Sequence, residues 1–435
     1  MAGGHRSIVI DARVNGLPGA HGIARSVMKL VAHMGQAGDG LALRVLVNPG
    51  RPQLFPLSDL PAHAEMVDTG ITLGAVHRCW ELARLIRACG AAVLYSPYPT
   101  FTPIIRPCPL VVTIHDCTIE SDVGFAGGWH RQAGLRLATR AVLGRAAATT
   151  APSRVSLAEI RQHYPSAPRP TLVPNGVDVG PFAAVTGDAV AAARSLYRLP
   201  GQFILTVGAH RPHKNHEILV RALAAMPAHV SLVIVGYFDP SFRDPLPGLI
   251  SALGLESRVL LVPEVAEEWL PAVYRAAAVF AFPSLAEGYG LPVLEAMAAG
   301  VPVVASDIPV LAEVAESAAV LVPPRDVAAW TSALASVLAS PARSAELSAA
   351  GAAVAARGSW ERGATALRGL LSCVATGRLT PAISSGAAPG PAAPGAAASD
   401  PAASDPAASD PAASDPVASD GAPRGAAPGD PARAG

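Results

Sequence analysis

The sequence predicts a doubly wound α/β protein, with parallel sheets covered by helices on both faces. Three observations predict it. Short, nearly continuous apolar runs recur over the first 370 or so residues, stretches with apolar residues at helical spacing separate them, and Gly, Pro, Asp or His flanks most of the runs. A strand buried on both faces reads as an unbroken apolar run, and strands alternating with helices make a parallel sheet.

In order, the runs fall at 8–10, 42–47, 92–95 and 110–114, then at 203–207, 232–235, 259–262, 279–282 and 301–305. Helical spacing occupies 22–34, 78–89, 217–226 and 291–299. Between the two sets, VPNGVD at 173–178 carries Pro and Asn-Gly turn signals, and the strand rhythm restarts at Phe203. These breaks predict one Rossmann-like domain over 1–180, a second over 181–357, and a further helix over 358–379. From residue 380 the chain turns to Ala, Pro, Gly, Ser and Asp, with an SDPAA repeat over 399–420. Such a segment has almost nothing to bury, and its recurring Pro blocks helices and ladders, so a disordered tail is expected over 380–435.

Composition bounds the function. The 435 residues suffice for two domains with their own cores. Lys plus Arg equals Asp plus Glu at 33 each, which is no nucleic-acid signature. The five cysteines are odd in number and lack metal-ligand spacing, as befits buried thiols in a reducing compartment. The first apolar run is too short for a signal peptide, and no run reaches the roughly 18 apolar residues of a membrane span, so a cytoplasmic protein is expected. Only two of the 33 basic residues are lysines, Lys29 and Lys214. In a chain so biased towards arginine, each lysine invites a specific role.

Ligands of doubly wound sheets sit beyond the carboxyl ends of the strands, so polar residues just after a strand carry the chemistry. The strongest motif is SLAEGYGLPVLEAMAAG at 284–300. Gly288 and Gly290 lie in a loop, and Pro292 suits the first turn of a helix that follows. A glycine loop entering a helix presents unpaired N–H groups at the positive end of the dipole, which suits a diphosphate. Glu287 falls in the loop and Glu295 in the expected first helical turn, two carboxylates able to accept from vicinal hydroxyls. A second motif, GAHRPHKNH at 208–216, sets Arg211 and Lys214 directly after a strand. Fixed cations there would stabilise a phosphate leaving group as its charge develops. A third is the strand end VVTIHD at 111–116, with His115 and Asp116 at the crevice. A fourth, DAR at 11–13 followed by GAHGIARS at 19–26, is a glycine-bearing segment between the first strand and the first helix, with Gly22 in it.

The E-x7-E block inside EGYGLP, followed by AMAAGVPVVASD, resembles glycosyltransferase family 4, and smaller matches extend the likeness over about 8–370. The resemblance implies the GT-B fold, two Rossmann-like domains facing across a cleft, with the acceptor on the first and a nucleotide diphosphate sugar on the second. It implies that the 358–379 helix returns to the first domain. It implies retention of anomeric configuration. No metal is expected, since no DxD-like carboxylate pair follows a strand in the donor region and Lys214, Arg211 and a helix start already serve the phosphates, and no cofactor is expected. By it, Glu287 contacts the donor hexose, Glu295 the ribose, Lys214 the phosphates and His115 the sugar, with Asp116 as neighbour or orienter. Gly22, Val265, Gly288, Tyr289, Gly290 and Leu291 join the donor-binding set, Tyr289 standing where the family usually has Phe. The family's phosphate-binding arginine is absent from its usual places, which hold Ala209 and His213, and Arg211 is the expected substitute. The opening, HD and PHKN elements favour GDP-mannose, with a UDP-sugar as the alternative. A glycan or lipid-linked acceptor is expected, and the Arg-rich stretch 129–145 suits peripheral membrane contact as well as an ordinary solvated helix. Two other classes remain: a different sugar-processing enzyme on this fold, and an inactive nucleotide-sugar-binding protein.

Overall fold

The structure, a computed structural model, describes residues 6–378 apart from 18–20, 37, 74, 103, 104, 106 and 169. The repeat tail and part of the GAHGIARS segment lie outside the described residues. Two parallel sheets form the body, as the apolar runs predict. The first contains β1 (Ser7–Asp11), β2 (Ala42–Val47), β3 (Ala64–Asp68), β4 (Ala91–Ser96), β5 (Leu110–Thr113), β6 (Ala148–Ala151) and β7 (Pro170–Leu172), in the order β3-β2-β1-β4-β5-β6-β7. The second contains β8 (Gln202–Val207), β9 (Val230–Val235), β10 (Val259–Val262), β11 (Val279–Phe282), β12 (Val303–Ser306) and β13 (Ala319–Val322), in the order β10-β9-β8-β11-β12-β13.

The central strands are wholly buried, β1 over all five residues and β11 over all four. Apolar clusters lie on both faces of each sheet. This two-sided burial is what the unbroken apolar runs encode. Strand order reverses between β1 and β4 in one sheet and between β8 and β11 in the other. Crevices of doubly wound sheets open at such reversals.

The helix Trp360–Ala375 packs on the first sheet. Trp360, Ala364, Leu367, Leu370 and Leu371 are buried on one helical face, in one cluster with Ile8 and Val93 of the sheet and Val27 of the helix His21–Ala32. The connection at 174–178 runs tightly past the start of this helix. Val177 N–H donates to Gly358 O at 2.8 Å, and a Cβ on Gly176 would lie 2.4 Å from the Ser359 backbone. The Asn-Gly read as a turn signal thus also meets a close backbone crossing.

Among the described residues no helix is long and apolar enough to cross a membrane. No disulfide joins the five cysteines; Cys89 and Cys117 are buried and the other three half-buried.

Candidate functional site

The loops after β8 and β11, on either side of the second reversal, meet at a charged pair. After β8 the chain makes a short 3-10 turn, Pro212–Lys214, ended by Asn215 in the left-handed region at φ 55°. Asn215 fixes this loop by donating to Pro283 O at 3.1 Å and to Pro324 O at 2.8 Å. Lys214 Nζ then lies 2.5 Å from Glu287 Oε1 and 5.1 Å from the centre of the Phe282 ring. Both side chains keep a little exposure, 17% and 12%. The pair is accessible to a ligand yet shielded enough for its field to be strong.

Gly290 at φ 98° starts the helix Leu291–Ala298 with no side-chain hydrogen bond capping its end. The glycine loop before it is pressed against the first domain. A Cβ on Gly288 would lie 1.9 Å from His115 O, so only glycine allows this contact. Gly288 O accepts from Ser153 Oγ at 2.9 Å and from Ser156 Oγ at 3.1 Å. The Ser153 hydroxyl also accepts from Ser156 N–H, the N-cap of the helix Arg154–His163. Glu313 of the second domain accepts from the Arg154 and Val155 N–H groups at 2.9 and 3.0 Å. The EGYG and His-Asp motifs, about 170 residues apart in sequence, therefore form one backbone junction.

The structure places the other candidate residues as follows, and corrects the helical position of Glu295. Glu295 is the fifth residue of its helix and lies beyond the first turn. It is buried, with one oxygen paired to Arg25 and the other accepting from Tyr274 Oη at 2.8 Å. Gly22 is the second residue of the helix His21–Ala32, at the start of the helical stretch read over 22–34, with open space where a Cβ would stand. Asp116 does not hold the His115 ring. His115 Nε2 is 3.0 Å from Pro97 O, while the Asp116 carboxylate accepts from Thr118 N–H at 2.9 Å. Arg211 is engaged elsewhere, donating to Asp239 at 2.9 Å and to Tyr237 Oη at 3.0 Å. Tyr289 points to the interdomain connection, where its hydroxyl donates to Asn175 O at 2.8 Å. Asp11 and Arg13 form a buried bidentate pair at 2.7 Å and satisfy each other. Val265 and Leu291 pack partly buried against the apolar clusters.

Burial pushes the His115 imidazole below its ordinary range, against the opposing pull of Asp116. His115 is thus a neutral group near pH 7. His216, buried behind the lysine loop, is pushed down to about 3 by burial, then by His210 and Lys214. Sequence reasoning missed Arg25, whose second nitrogen lies 2.6 Å from Glu267. Its place in GIARS was the available signal. Nothing in the sequence pointed to Tyr274 or Glu313. A cavity of about 660 Å³ is lined by Arg25, Lys29, Glu267, Leu270, Glu295 and Trp360, and by neither Lys214 nor Glu287.

Comparison with known proteins sets each half of the chain beside a glycosyltransferase family. The family "Glycosyl transferases group 1" matches residues 194–354, and "Glycosyl transferase 4-like domain" matches 21–176. Both families are glycosyltransferases, and between them the two matches take in most of the described residues. Two curated relatives are D-inositol 3-phosphate glycosyltransferases. That of Salinispora tropica is 33% identical over 217 residues, covering 46% of this chain and 45% of the relative. That of Mycolicibacterium smegmatis is 32% identical over 206 residues, covering 46% and 47%. The chain spans about half the length of the curated relatives it matches. Among solved structures, Anabaena HepE in complex with UDP and glucose is 20% identical at a TM-score of 0.68, covering 85% of this chain and all of that one. Sucrose-phosphate synthase from Thermosynechococcus elongatus is 23% identical at 0.67, covering 84% and 98%. At these identities the two structures share the fold.

Proposed function

We propose that this glycosyltransferase moves a hexose from a nucleotide diphosphate sugar to a glycan or lipid-linked acceptor, with retention and without metal or cofactor. The observation that carries the reading is the meeting of Lys214, Glu287 and the Gly290 helix start at the strand reversal, against the His115 loop of the first domain. A diphosphate fits beside Lys214 and the helix N-terminus, where cation and dipole act together. As the donor bond breaks, negative charge grows on the leaving phosphate, and Lys214 stabilises it without rearranging. Glu287 turns from Lys214 to accept hydroxyls of the hexose. His115, neutral and held by the Pro97 carbonyl, offers its ring to the sugar without adding charge. Glu295 accepts from the ribose in exchange for part of its bond to Arg25.

GDP-mannose is the donor that the sequence resemblance favours. The HepE complex with UDP supports the alternative, a UDP-sugar. A phosphorylated polyol acceptor is a second possibility, favoured by the inositol-phosphate relatives. For peripheral membrane contact the support is the helix Trp129–Leu143, which has no acidic residue and exposes Trp129 and Leu137 beside Arg131 and Arg140.

The test is release of nucleoside diphosphate. Purified protein is incubated with GDP-mannose or UDP-glucose and lipid-linked or phosphorylated polyol acceptors. Acceptor-dependent release of GDP or UDP is expected, and a folded protein that neither binds nor turns over any nucleotide sugar would overturn the reading.

A further inference from the structure

We propose that His213 is a ligand of the donor diphosphate that takes up a proton when the donor binds. This rests on reading the Lys214 loop as the diphosphate site and adds a pH-linked step to it.

Two basic groups of the loop have an unpartnered ring nitrogen: His210, whose Nδ1 already lies 3.1 Å from Asp244, and His213, which stands against Phe125 of the first domain. His213 is the middle residue of the turn Pro212–Lys214, directly before the lysine. Its carbonyl accepts from Leu285 N–H at 2.7 Å, tying it to the loop that carries Glu287. Its ring meets the edge of Phe125 at 5.8 Å between centres, so it stands at the junction with the first domain. Its Nδ1 is shielded from solvent and has no hydrogen-bond partner. The two neighbouring cations are already engaged, Arg211 by Asp239 and Tyr237, and Lys214 by Glu287. A shielded polar atom without a partner is costly, and a ligand atom placed there would relieve that cost.

The surroundings set its charge. Its own loop presents Arg211, Lys214 and His216, all of which oppose an imidazolium. The first-domain segment Val123–Ala126 packs against the turn and carries no titratable side chain. The nearby carboxylates, Glu287 and Asp239, are spent on Lys214 and Arg211. Burial first, then Lys214 and Arg211, hold the ring well below its ordinary range, so it is neutral in the empty protein. A diphosphate arriving beside Lys214 reverses this balance. Its negative charge favours the imidazolium, one proton comes from solvent, and both ring nitrogens become donors. No covalent bond forms or breaks.

The experiment is calorimetric binding of GDP-mannose and of UDP-glucose to the full-length protein. It is run from about pH 6 to 8, in buffers of different ionisation enthalpy. Both diphosphates are esterified at each end, so they lack the terminal phosphate that titrates near pH 6. Uptake approaching one proton is expected at the acid end, with affinity gaining up to about tenfold per unit fall in pH where uptake is complete. In His213→Gln the nucleotide sugar should bind more weakly and without uptake. In His213→Arg it should bind tightly across the range, again without uptake, because the cation is permanent. Binding to the wild type without proton uptake, or uptake that persists in His213→Gln, would overturn the proposal and leave the diphosphate site standing. Failure of a folded wild type to bind either nucleotide sugar would overturn the site reading, and the proposal with it.

Discussion

Replacing Lys214 by Ala removes a charge from the place where the leaving phosphate is proposed to gain one. With 17% of its side chain exposed, Lys214 sits where an effective dielectric near 20 applies, and a unit charge at about 4 Å then interacts by roughly 4 kcal/mol. Only the charge that grows between bound donor and transition state accelerates the reaction, so about 3–4 kcal/mol is at stake, or 10²–10³ in kcat. Lys214→Arg should recover part of this, since its fork replaces a compact ammonium. Substitution also breaks the pair with Glu287, so melting curves must first establish that each variant is folded. Lys29→Ala is the matched control. It removes the other lysine, which pairs with Asp178 at 2.8 Å, and should leave kcat within about threefold. Initial-rate kinetics at saturating donor decide the matter. A Lys214→Ala enzyme within about threefold of wild-type kcat would refute both the phosphate assignment and the electrostatic argument behind it.

Glu295→Gln should act mainly on donor KM, by about 1–3 kcal/mol, because the proposed ribose contact does not react. A kcat loss with unchanged KM would remove it from the ribose. EDTA should leave turnover unchanged, since Lys214 and the helix start supply the positive field; activity lost to EDTA and restored by Mg²⁺ or Mn²⁺ would contradict this. Stability should fall as pH drops from about 6.5 towards 3 because the unfolded chain binds protons that buried His216 refuses, costing about 1.4 kcal/mol per pH unit from that residue. His216→Asn should flatten this acid limb of the melting curve, and an unchanged limb would show that His216 does not carry it. Trp129→Ser with Leu137→Ser should weaken sedimentation with anionic vesicles several-fold while leaving donor binding intact. Equal sedimentation of both proteins would assign that face to solvent.

What the sequence disclosed follows from how each feature is encoded. Central strands such as β1, β8 and β11 are legible because burial on both faces demands an unbroken apolar run. Edge strands are not held to that demand. β3 is the half-exposed segment AEMVD, and β7 has only three residues, PTL, so neither stands out from a loop. β6 is ATTA, buried yet built from small residues that carry no apolar signature. The site divides in the same way. Lys214 and Glu287 were visible because a cation and a carboxylate placed just after strands are costly unless they serve a ligand or each other, and here the geometry brings them together. Arg25, Tyr274 and Glu313 were not, since each acts on a partner far along the chain and no local pattern records such a pairing. The partners that Asp116 and Arg211 take in the structure were illegible for a common reason. Sequence adjacency suggested partners, but a side chain at a strand end is oriented by whichever neighbour completes its hydrogen bonds. For the residues in question those were Thr118 N–H and the Asp239 carboxylate. The same reasoning turns attention to His213, a basic group of the Lys214 loop whose shielded Nδ1, beside Phe125, has no hydrogen-bond partner.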